Sequence, residues 1–290
     1  MWLNVPASAQ DLEPRSYVNL PTGLNFVIVG YGHSAGGATT DASVPLEDAD
    51  LSIDTTVLAY VRSLDLWGRS AKLDVIAPYS WLDGSARVDG VPRERAVDGF
   101  DDPSLRLAIN LLGAPALTLR EFAAYEQDFV VGASLKITAP LGQYNADQIV
   151  NLGSHRWSIK PEIGMSKRWG NWSLDLAGAV ALYTDNNDYF NGHTFEQEPL
   201  YSLQTHLIRT FGRGSWVALD ATWYTGGRTT LDGQAKDDRK ENSRAGITVA
   251  LPINARQSIK FYAATGVYER TGADFDTAGV AWQYRWGTGL

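Results

Sequence analysis

Apolar and polar side chains alternate through the stretch WSIKPEIGMS, residues 157–166. One face carries Trp157, Ile159, Pro161, Ile163 and Met165, whereas the other carries Ser158, Lys160, Glu162 and Ser166. A period of two is that of a β-strand, in which successive side chains point to opposite faces. The stretch therefore predicts a strand with one apolar face and one polar face.

The same alternation recurs along the whole chain, and helical spacing of apolar residues is nearly absent. The alternating segments are residues 24–31, 51–62, 73–81, 105–111, 129–137, 157–165, 172–182, 201–208, 217–223, 244–251, 259–267 and 279–286. About twelve strands is an even number, as single-chain bacterial barrels have. We therefore predict an all-β fold, a single antiparallel barrel.

Composition excludes several other classes of protein. The 290 residues carry a formal net charge of −8, which argues against a nucleic-acid partner because such proteins show a basic stripe. The chain has no cysteine, which removes disulfides, thiolate catalysis and cysteine-type zinc sites. No run approaches about 18 apolar residues, so a membrane-spanning helix is excluded, whereas a spanning barrel gives only weak alternation.

Aromatic residues indicate which side of the barrel faces outward. They lie near the ends of the predicted strands, at Trp67, Tyr79, Trp81, Trp157, Trp169, Trp172, Trp216, Trp223, Tyr284 and Trp286. A membrane barrel places Trp and Tyr in girdles at this depth, whereas a soluble core would bury aromatic rings in the middle of its strands. The aromatic pattern favours a transmembrane barrel with its apolar face toward lipid.

The connections between predicted strands alternate in length. Short ones lie at residues 66–70, 169–171, 212–215 and 252–257, and long polar ones at 33–50, 82–102, 142–155, 185–199 and 226–243. Short periplasmic turns and long extracellular loops are the rule for membrane barrels, and here they place both termini in the periplasm. The connection at residues 113–127 breaks the alternation, and its sequence predicts a partly helical segment on the inner rim.

Both ends of the chain carry signals related to export. Ala7-Ser8-Ala9 fits a signal-peptidase site, which predicts a signal-peptide remnant at residues 1–9 and a barrel domain at residues 10–290; an ordinary Ala/Ser-rich leader is the alternative. The final strand presents Val280, Trp282, Tyr284 and Trp286 on one face. Such a strand is what barrel-assembly machinery is expected to bind.

Charged side chains of both signs occupy the polar face, which we assign to the lumen. The candidate lumen-lining residues are Arg106, Lys136, Lys160, Lys260, Arg285, Glu162, Asp175, Asp220 and His206. The same reasoning assigns Arg62, Lys72, Arg244, Asp54 and Asp74 to this wall. Opposite charges there pair across strands in the structural interpretation. In the functional one they form a mildly electropositive constriction that favours anionic or phenolate solutes.

Catalytic and metal sites are not indicated. His206 is alone among the four histidines in lying on a predicted strand, and lumen-wall hydrogen bonding explains it better than catalysis does. The acidic groups at residues 185–188 and 237–238 are explained as solvated loops, because the calcium-loop spacing is absent. No phosphate-binding loop is present, so we predict no cofactor, no metal and no energy coupling.

Several longer stretches resemble one protein family. They are PRSYVNLPTGLNF (14–26), YVRSLDLWGRSAKLDVIAPYSW (60–81), GFDDPSLRLAINLLGAPAL (99–117), TAPLGQYNADQIVNLGSHRWSIKPEIGMSKRWGNW (138–172), ALYTDNNDYF (181–190), EPLYSLQTHLIRTFGRGSWVALDATWYTGG (198–227) and VAWQYRWG (280–287). In these stretches, which together extend over about residues 14–286, the chain resembles the MetA-pathway of phenol degradation family. The resemblance implies a transporter-like barrel of the outer membrane.

The residues and the resemblance together predict an outer-membrane channel of a Gram-negative bacterium for passive uptake of small solutes. Aromatic or other apolar compounds are the candidate solutes, and outer-membrane lipid is the surrounding partner. A barrel of about twelve strands encloses a narrow channel and not an open general pore. Two alternatives stay open: an outer-membrane barrel enzyme that modifies lipid, and a soluble barrel that binds an apolar ligand.

Overall fold

The computed structural model describes residues 13–39, 46–88 and 91–287, and antiparallel strands make up most of it. The strands are β1 (Leu24–Thr39), β2 (Leu46–Leu66), β3 (Arg69–Val88), β4 (Val91–Phe100), β5 (Ser104–Leu112), β6 (Phe129–Thr138), β7 (Ser158–Trp169), β8 (Trp172–Tyr183), β9 (Asn186–Tyr189), β10 (His193–Gln197), β11 (Leu200–Thr210), β12 (Trp216–Gly226), β13 (Thr229–Leu231), β14 (Gln234–Ala235), β15 (Lys240–Pro252), β16 (Gln257–Glu269) and β17 (Gly272–Gly287). A helix, α1 (Leu119–Phe122), and a 3-10 turn at Gly212–Gly214 interrupt them. No helix in these ranges is both long and apolar enough to cross a membrane.

The strands close into one barrel because β1 pairs with β2 on one side and with β17 on the other. From β2 the wall continues through β3, β5, β6, β7, β8, β11, β12, β15 and β16 to β17, and every pair is antiparallel. Twelve strands thus form the wall. The prediction of a twelve-stranded antiparallel barrel is confirmed.

Short turns join the wall strands at one end of the barrel, as predicted. Leu66 pairs with Arg69, so that two residues, Trp67 and Gly68, make the turn between β2 and β3. Both have positive φ, which matches the backbone twist of a tight hairpin. At the same end, α1 lies in the connection between β5 and β6, where Thr118 and Glu121 form a capping box. The expected partly helical segment is therefore present.

The apolar face of the wall points outward. Leu135, Ile163 and Leu219 expose 44%, 60% and 59% of their surface, whereas Lys136 and Asp220 on the opposite faces of the same or neighbouring strands are buried. This is the reverse of a soluble barrel and is the arrangement that lipid requires. The soluble alternative is therefore not favoured.

Most of the predicted aromatic girdle lies on this outer surface. Trp157, Trp169 and Trp223 are exposed at or near the ends of their strands, and Trp81 is exposed farther inside β3. Trp216 is the exception, since its register partner on β15 is the buried Ala250 and its ring lines the inside of the barrel. Its assignment to the girdle was wrong, because strand-end position does not determine on which face a side chain lies.

The alternation of β2 is inverted relative to the prediction. Leu51 and Ile53 are buried inside, in a cluster with Leu82 and Phe275. Asp54 lies outside, where it accepts hydrogen bonds from Tyr31 and His33.

The assignment of Asp54 and Arg62 to the lumen was consequently wrong, since even-numbered positions of β2 such as Leu58 and Tyr60 are exposed. The outer half of the lumen is apolar near β2. There the rule that the polar face points inward fails.

At the end opposite the short turns, several predicted loops form further strands. β4 folds back on the outer part of β3, and β9, β10, β13 and β14 form a separate four-stranded sheet. Tyr189 and Phe195 stack at 4.9 Å within this cap. The Arg156 guanidinium lies 4.4 Å from the ring of Tyr183, and burial lowers the pKa of Arg156 to about 10. The extracellular end is thus a packed cap.

The topology predicts that the cap faces the cell exterior. A cysteine at Gln234, which is exposed on β14, should react with a membrane-impermeant maleimide on intact cells, and the cysteine-free chain gives no background. A cysteine at Asn254, in the short turn between β15 and β16, is the matched control and should react only after the outer membrane is ruptured. Labelling in the reverse order would show that the barrel is inserted the other way.

The outward face of β8 predicts a large cost for a charge at Leu176. Leu176→Arg should lower the free energy of unfolding by about 2–4 kcal/mol if this position lies near the bilayer midplane. Leu176→Ala should cost much less, because lipid still covers an apolar side chain. Reversible denaturant unfolding in phospholipid vesicles measures both, and equal losses would contradict the assignment of this face to lipid.

Candidate functional site: the barrel lumen

The segment that precedes β1, residues 13–23, lies inside the barrel. The Tyr17 hydroxyl donates to Glu162 Oε1 at 2.8 Å, and the Arg15 backbone N–H donates to Asp175 Oδ2 at 2.9 Å. Lys72 donates to the Ser16 carbonyl. Tyr17 is only 4% exposed. We call residues 13–23 the plug segment, since they occupy the lumen and bind its wall.

A slot without side chains receives the ring of Tyr17. Gly132 on β6 and Gly164 on β7 are register partners, and each lies against one edge of the ring. A Cβ added at either glycine would overlap the ring. The slot is closed by Val130 and Ala114, which pack with Tyr17 in one buried cluster. Two paired glycines therefore determine where the plug segment docks.

Three cations stand side by side on the wall next to this slot. Arg106 on β5 pairs in register with Lys136 on β6, which pairs with Lys160 on β7. Like charges directly opposite one another on neighbouring strands destabilise a sheet. This cation row therefore needs negative partners close by.

The cation row obtains one partner from the wall and another from the plug segment. Asp74 on β3 accepts from Arg106 at 2.6 Å, and the Glu13 carboxylate accepts from another nitrogen of the same guanidinium. The charges of Lys136 and Lys160 also act on Glu13. The Glu13 carboxylate of the plug segment thus offsets positive charge of the cation row.

A second polar group lies on the neighbouring strands. His206 Nδ1 and Asp220 Oδ1 are 2.7 Å apart, and the Thr248 hydroxyl donates to the other Asp220 oxygen at 2.7 Å. Among the described residues no hydroxyl hydrogen-bonds to the His206 ring, so no nucleophile stands next to this base as covalent catalysis would need. The group supports the wall by hydrogen bonding.

An outer cavity of about 400 Å³ opens under the cap. Apolar side chains line one part of it, at Ala49, Leu51, Ala86, Ile149, Val150 and Phe190, and polar or charged ones line another, at Ser85, Arg93, Glu94, Arg95 and Gln148. Leu51 also belongs to the buried cluster with Ile53, Leu82 and Phe275, so the apolar lining continues inward. The outer part of the lumen therefore offers apolar side chains to an apolar molecule.

The loop between β6 and β7 is held over this outer mouth by Asp102. The Asp102 carboxylate accepts from the Gly142 N–H at 2.9 Å and from the Ser154 N–H at 2.8 Å. The neighbouring Asp101 is buried against Ser80, and burial raises the pKa of Asp101 to about 6. Asp102 therefore anchors the loop, whereas Asp101 binds β3.

An inner cavity of about 440 Å³ lies at the periplasmic end, beside the plug segment. Its charged lining side chains are Arg213, Arg256, Lys260 and Arg285. Pro14 of the plug segment and Trp216 also line it. In contrast to the outer cavity, this one is strongly basic.

The nine predicted lumen residues all fall on the inner face, in three places. The cation row and its surroundings hold Arg106, Lys136, Lys160, Glu162 and Asp175. His206 and Asp220 form the second group, and Lys260 and Arg285 line the inner cavity. Their role in selectivity stays a prediction.

Sequence reasoning missed the plug segment and with it Glu13 and Tyr17. The signal was present, since a stretch of about fourteen residues, 10–23, separates the suggested cleavage site from β1. Nothing in one sequence, however, indicates that such a stretch folds inward. It also missed Arg213 and Arg256, because turn residues were not assigned to the lumen.

The glycine slot predicts how the plug segment can be released. Gly164→Ala should displace the Tyr17 ring and raise single-channel conductance in planar bilayers, and Tyr17→Ala should have the same effect because it removes the ring itself. Tyr60→Ala on the outer surface is the matched control and should leave conductance unchanged. Wild-type conductance in both slot variants would show that the plug segment does not limit flow.

Comparison with known proteins identifies the family. The family model described as "Putative MetA-pathway of phenol degradation" matches residues 32–284. No curated protein matches the chain in the corresponding comparison.

Three solved structures share the fold. An outer membrane channel from Pseudomonas putida F1 has a TM-score of 0.79 at 22% identity, over 95% of this chain and 100% of that one. The beta domain of the Bordetella autotransporter BrkA has a TM-score of 0.52 at 10% identity, over 91% of this chain and 100% of that one. The transport unit of the Escherichia coli autotransporter AIDA-I has a TM-score of 0.55 at 8% identity, over 96% and 94%.

At these identities the likeness establishes the fold, that of outer-membrane β-barrels of Gram-negative bacteria. The family match spans most of the chain and reaches from β1 into β17. This chain is an outer-membrane β-barrel and belongs to the MetA-pathway of phenol degradation family.

Proposed function

We propose that this protein is a passive channel that carries small apolar or aromatic solutes across the outer membrane. The observation that carries the proposal is a lumen with an outer cavity of about 400 Å³ toward one end and, toward the other, an inner cavity of about 440 Å³ that the plug segment borders at Pro14. Movement of that segment would join the cavities into one path. No covalent step is needed for passage.

The apolar outer cavity supports the solute class. Its lining passes through Leu51 into the buried cluster of Ile53, Leu82 and Phe275, so an apolar molecule stays in contact with apolar side chains as it enters. Burial of apolar surface contributes roughly 25 cal/mol per Å², which favours partition of such solutes into the mouth. The description of the family, phenol degradation, agrees with aromatic solutes.

The cation row supports a role for charge in selection. Glu13 neutralises part of the row while the plug segment is docked. Once the plug segment leaves, Arg106, Lys136 and Lys160 face the lumen with Asp74 and Glu162 as counter-charges of the wall, and Glu162 loses its bond from Tyr17. We propose that Arg106, Lys136, Lys160, Lys260 and Arg285 then favour anionic solutes, with Glu162, Asp175, Asp220 and His206 holding them in position.

The alternative of a lipid-modifying enzyme has less support. His206 is 2% exposed on the inner face, whereas the lipid substrate would approach from outside. The proposed partners outside the lumen are outer-membrane lipid and the barrel-assembly machinery, the latter through the exposed Trp282 and Trp286 of β17. The suggested signal-peptide remnant at residues 1–9 lies outside the described residues and stays a prediction.

Reversal potentials in a salt gradient test the charge argument. Glu13→Gln should raise the permeability of chloride relative to potassium severalfold, because it removes the acid that neutralises the cation row. Arg106→Ala combined with Lys136→Ala should shift selectivity toward cations. Planar-bilayer recordings measure both changes.

The matched control is Glu126→Gln, an exposed glutamate on the periplasmic connection, which should leave the reversal potential unchanged. A wild-type reversal potential in Glu13→Gln and in the double variant would refute the assignment of the cation row to selectivity. Flux of phenol or benzoate into proteoliposomes tests the channel function itself. Equal flux into protein-free liposomes would overturn it.

A further inference from the structure

We propose that the basic inner cavity is a binding site for a small organic carboxylate with an apolar body. Arg213, Arg256, Lys260 and Arg285 line it, and no aspartate or glutamate does so among the described residues. This concentration of cations stands out in a chain whose net charge is −8. This inference deepens the proposed function and rests on it, since it places a site at the periplasmic exit of the channel.

The cations come from different elements and converge on one space. Lys260 and Arg285 project from the inner faces of β16 and β17, whereas Arg213 and Arg256 lie in the short turns that precede β12 and β16. A concave site lined by one sign of charge focuses the field and raises the local concentration of the opposite ion. Anions leaving the lumen would therefore collect here.

Polar groups that recognise a carboxylate lie beside the cations. Asn254, Gln257, Ser258 and Gln283 line the same cavity, and the side chains of Ser258 and Gln283 lie on the inner faces of β16 and β17. Arginine is suited to a carboxylate because its planar donors match the two oxygens. The basic rim therefore fits an anion, and its arginine donors fit the two oxygens of a carboxylate.

The rest of the lining is apolar and accounts for the body of the ligand. Trp216 and Ile28 on the inner face line the cavity beside the polar groups. Trp216 already has the Arg15 guanidinium 5.5 Å from its ring, so an aromatic face, a cation of the plug segment and the basic rim lie together. Small-molecule sites typically have this combination of apolar walls and a few polar groups, at about 300–1,000 Å³.

The volume and the lining together select the size of the ligand. A cavity of about 440 Å³ accommodates a benzoate-sized molecule. Pro14 at the edge of the cavity belongs to the plug segment, so a bound carboxylate would touch the segment that closes the lumen. The site is therefore placed to hold a solute as it leaves the channel.

Fluorine NMR titration of the protein in lipid nanodiscs tests the site with two matched probes, 4-fluorobenzoate and its uncharged analogue 4-fluorobenzamide. The benzoate should bind about tenfold more tightly, since hydrogen bonds to charged groups are stronger than neutral ones. Arg213→Gln with Arg256→Gln should remove most of that difference, and both positions lie in turns where the wall is undisturbed. Lys260→Gln should reduce it further.

The matched control is Arg69→Gln, an exposed arginine at the periplasmic end of β3 that does not line the cavity. Equal affinity for the two probes would overturn the inference, as would an equal loss in the Arg69 and the Arg213/Arg256 variants. Benzoate flux in the same variants separates the two proposals. Benzoate flux without binding at this cavity would support the channel and refute the binding site. Binding without flux would support the binding site and refute the channel.

Discussion

The contact between Glu13 and the cation row is the interaction on which the lumen depends. Arg106, Lys136 and Lys160 are register neighbours on three adjacent strands, and the barrel wall supplies Asp74 beside them. Like charges at neighbouring positions repel, so the closed arrangement is stable because the chain supplies a further carboxylate from the plug segment. The segment that occupies the lumen therefore also supplies the carboxylate that pairs with Arg106.

This coupling explains why the plug segment is held by polar contacts and a single aromatic anchor. Hydrogen bonds to Glu162 and Asp175 exchange readily with water when the lumen hydrates, whereas a large apolar seal would not. Tyr17 determines the position of the segment, because its ring fits only where Gly132 and Gly164 leave room. The two glycines thus fix the register in which the segment docks.

The strands could be predicted from the period of the sequence. Which face of each strand points into the lumen could not be predicted for every strand. Twelve strands, the short turns and the inward position of nine polar residues followed from alternation, because lipid forces apolar side chains outward. The same rule failed at Leu51 and Ile53, which face an apolar outer lumen, and consequently at Asp54. The inward path of residues 13–23 depends on contacts with β3 to β8, which are distant in sequence and leave no local pattern.

The failures at β2 and Trp216 have a common physical origin. Both concern ends of the barrel, where the lumen stops being a uniform polar tube: the outer end is lined by Leu51 and Phe190, and the inner end by Arg285 and Trp216. Both ends fit the solute proposed above, an apolar body that bears a negative charge, because the entrance combines apolar residues with Arg93 and Arg95 and the exit is cationic. Between these ends stands the cation row, whose resting partner is a carboxylate of the chain itself. A solute carboxylate would meet, at the centre of the lumen, the same charges that hold Glu13.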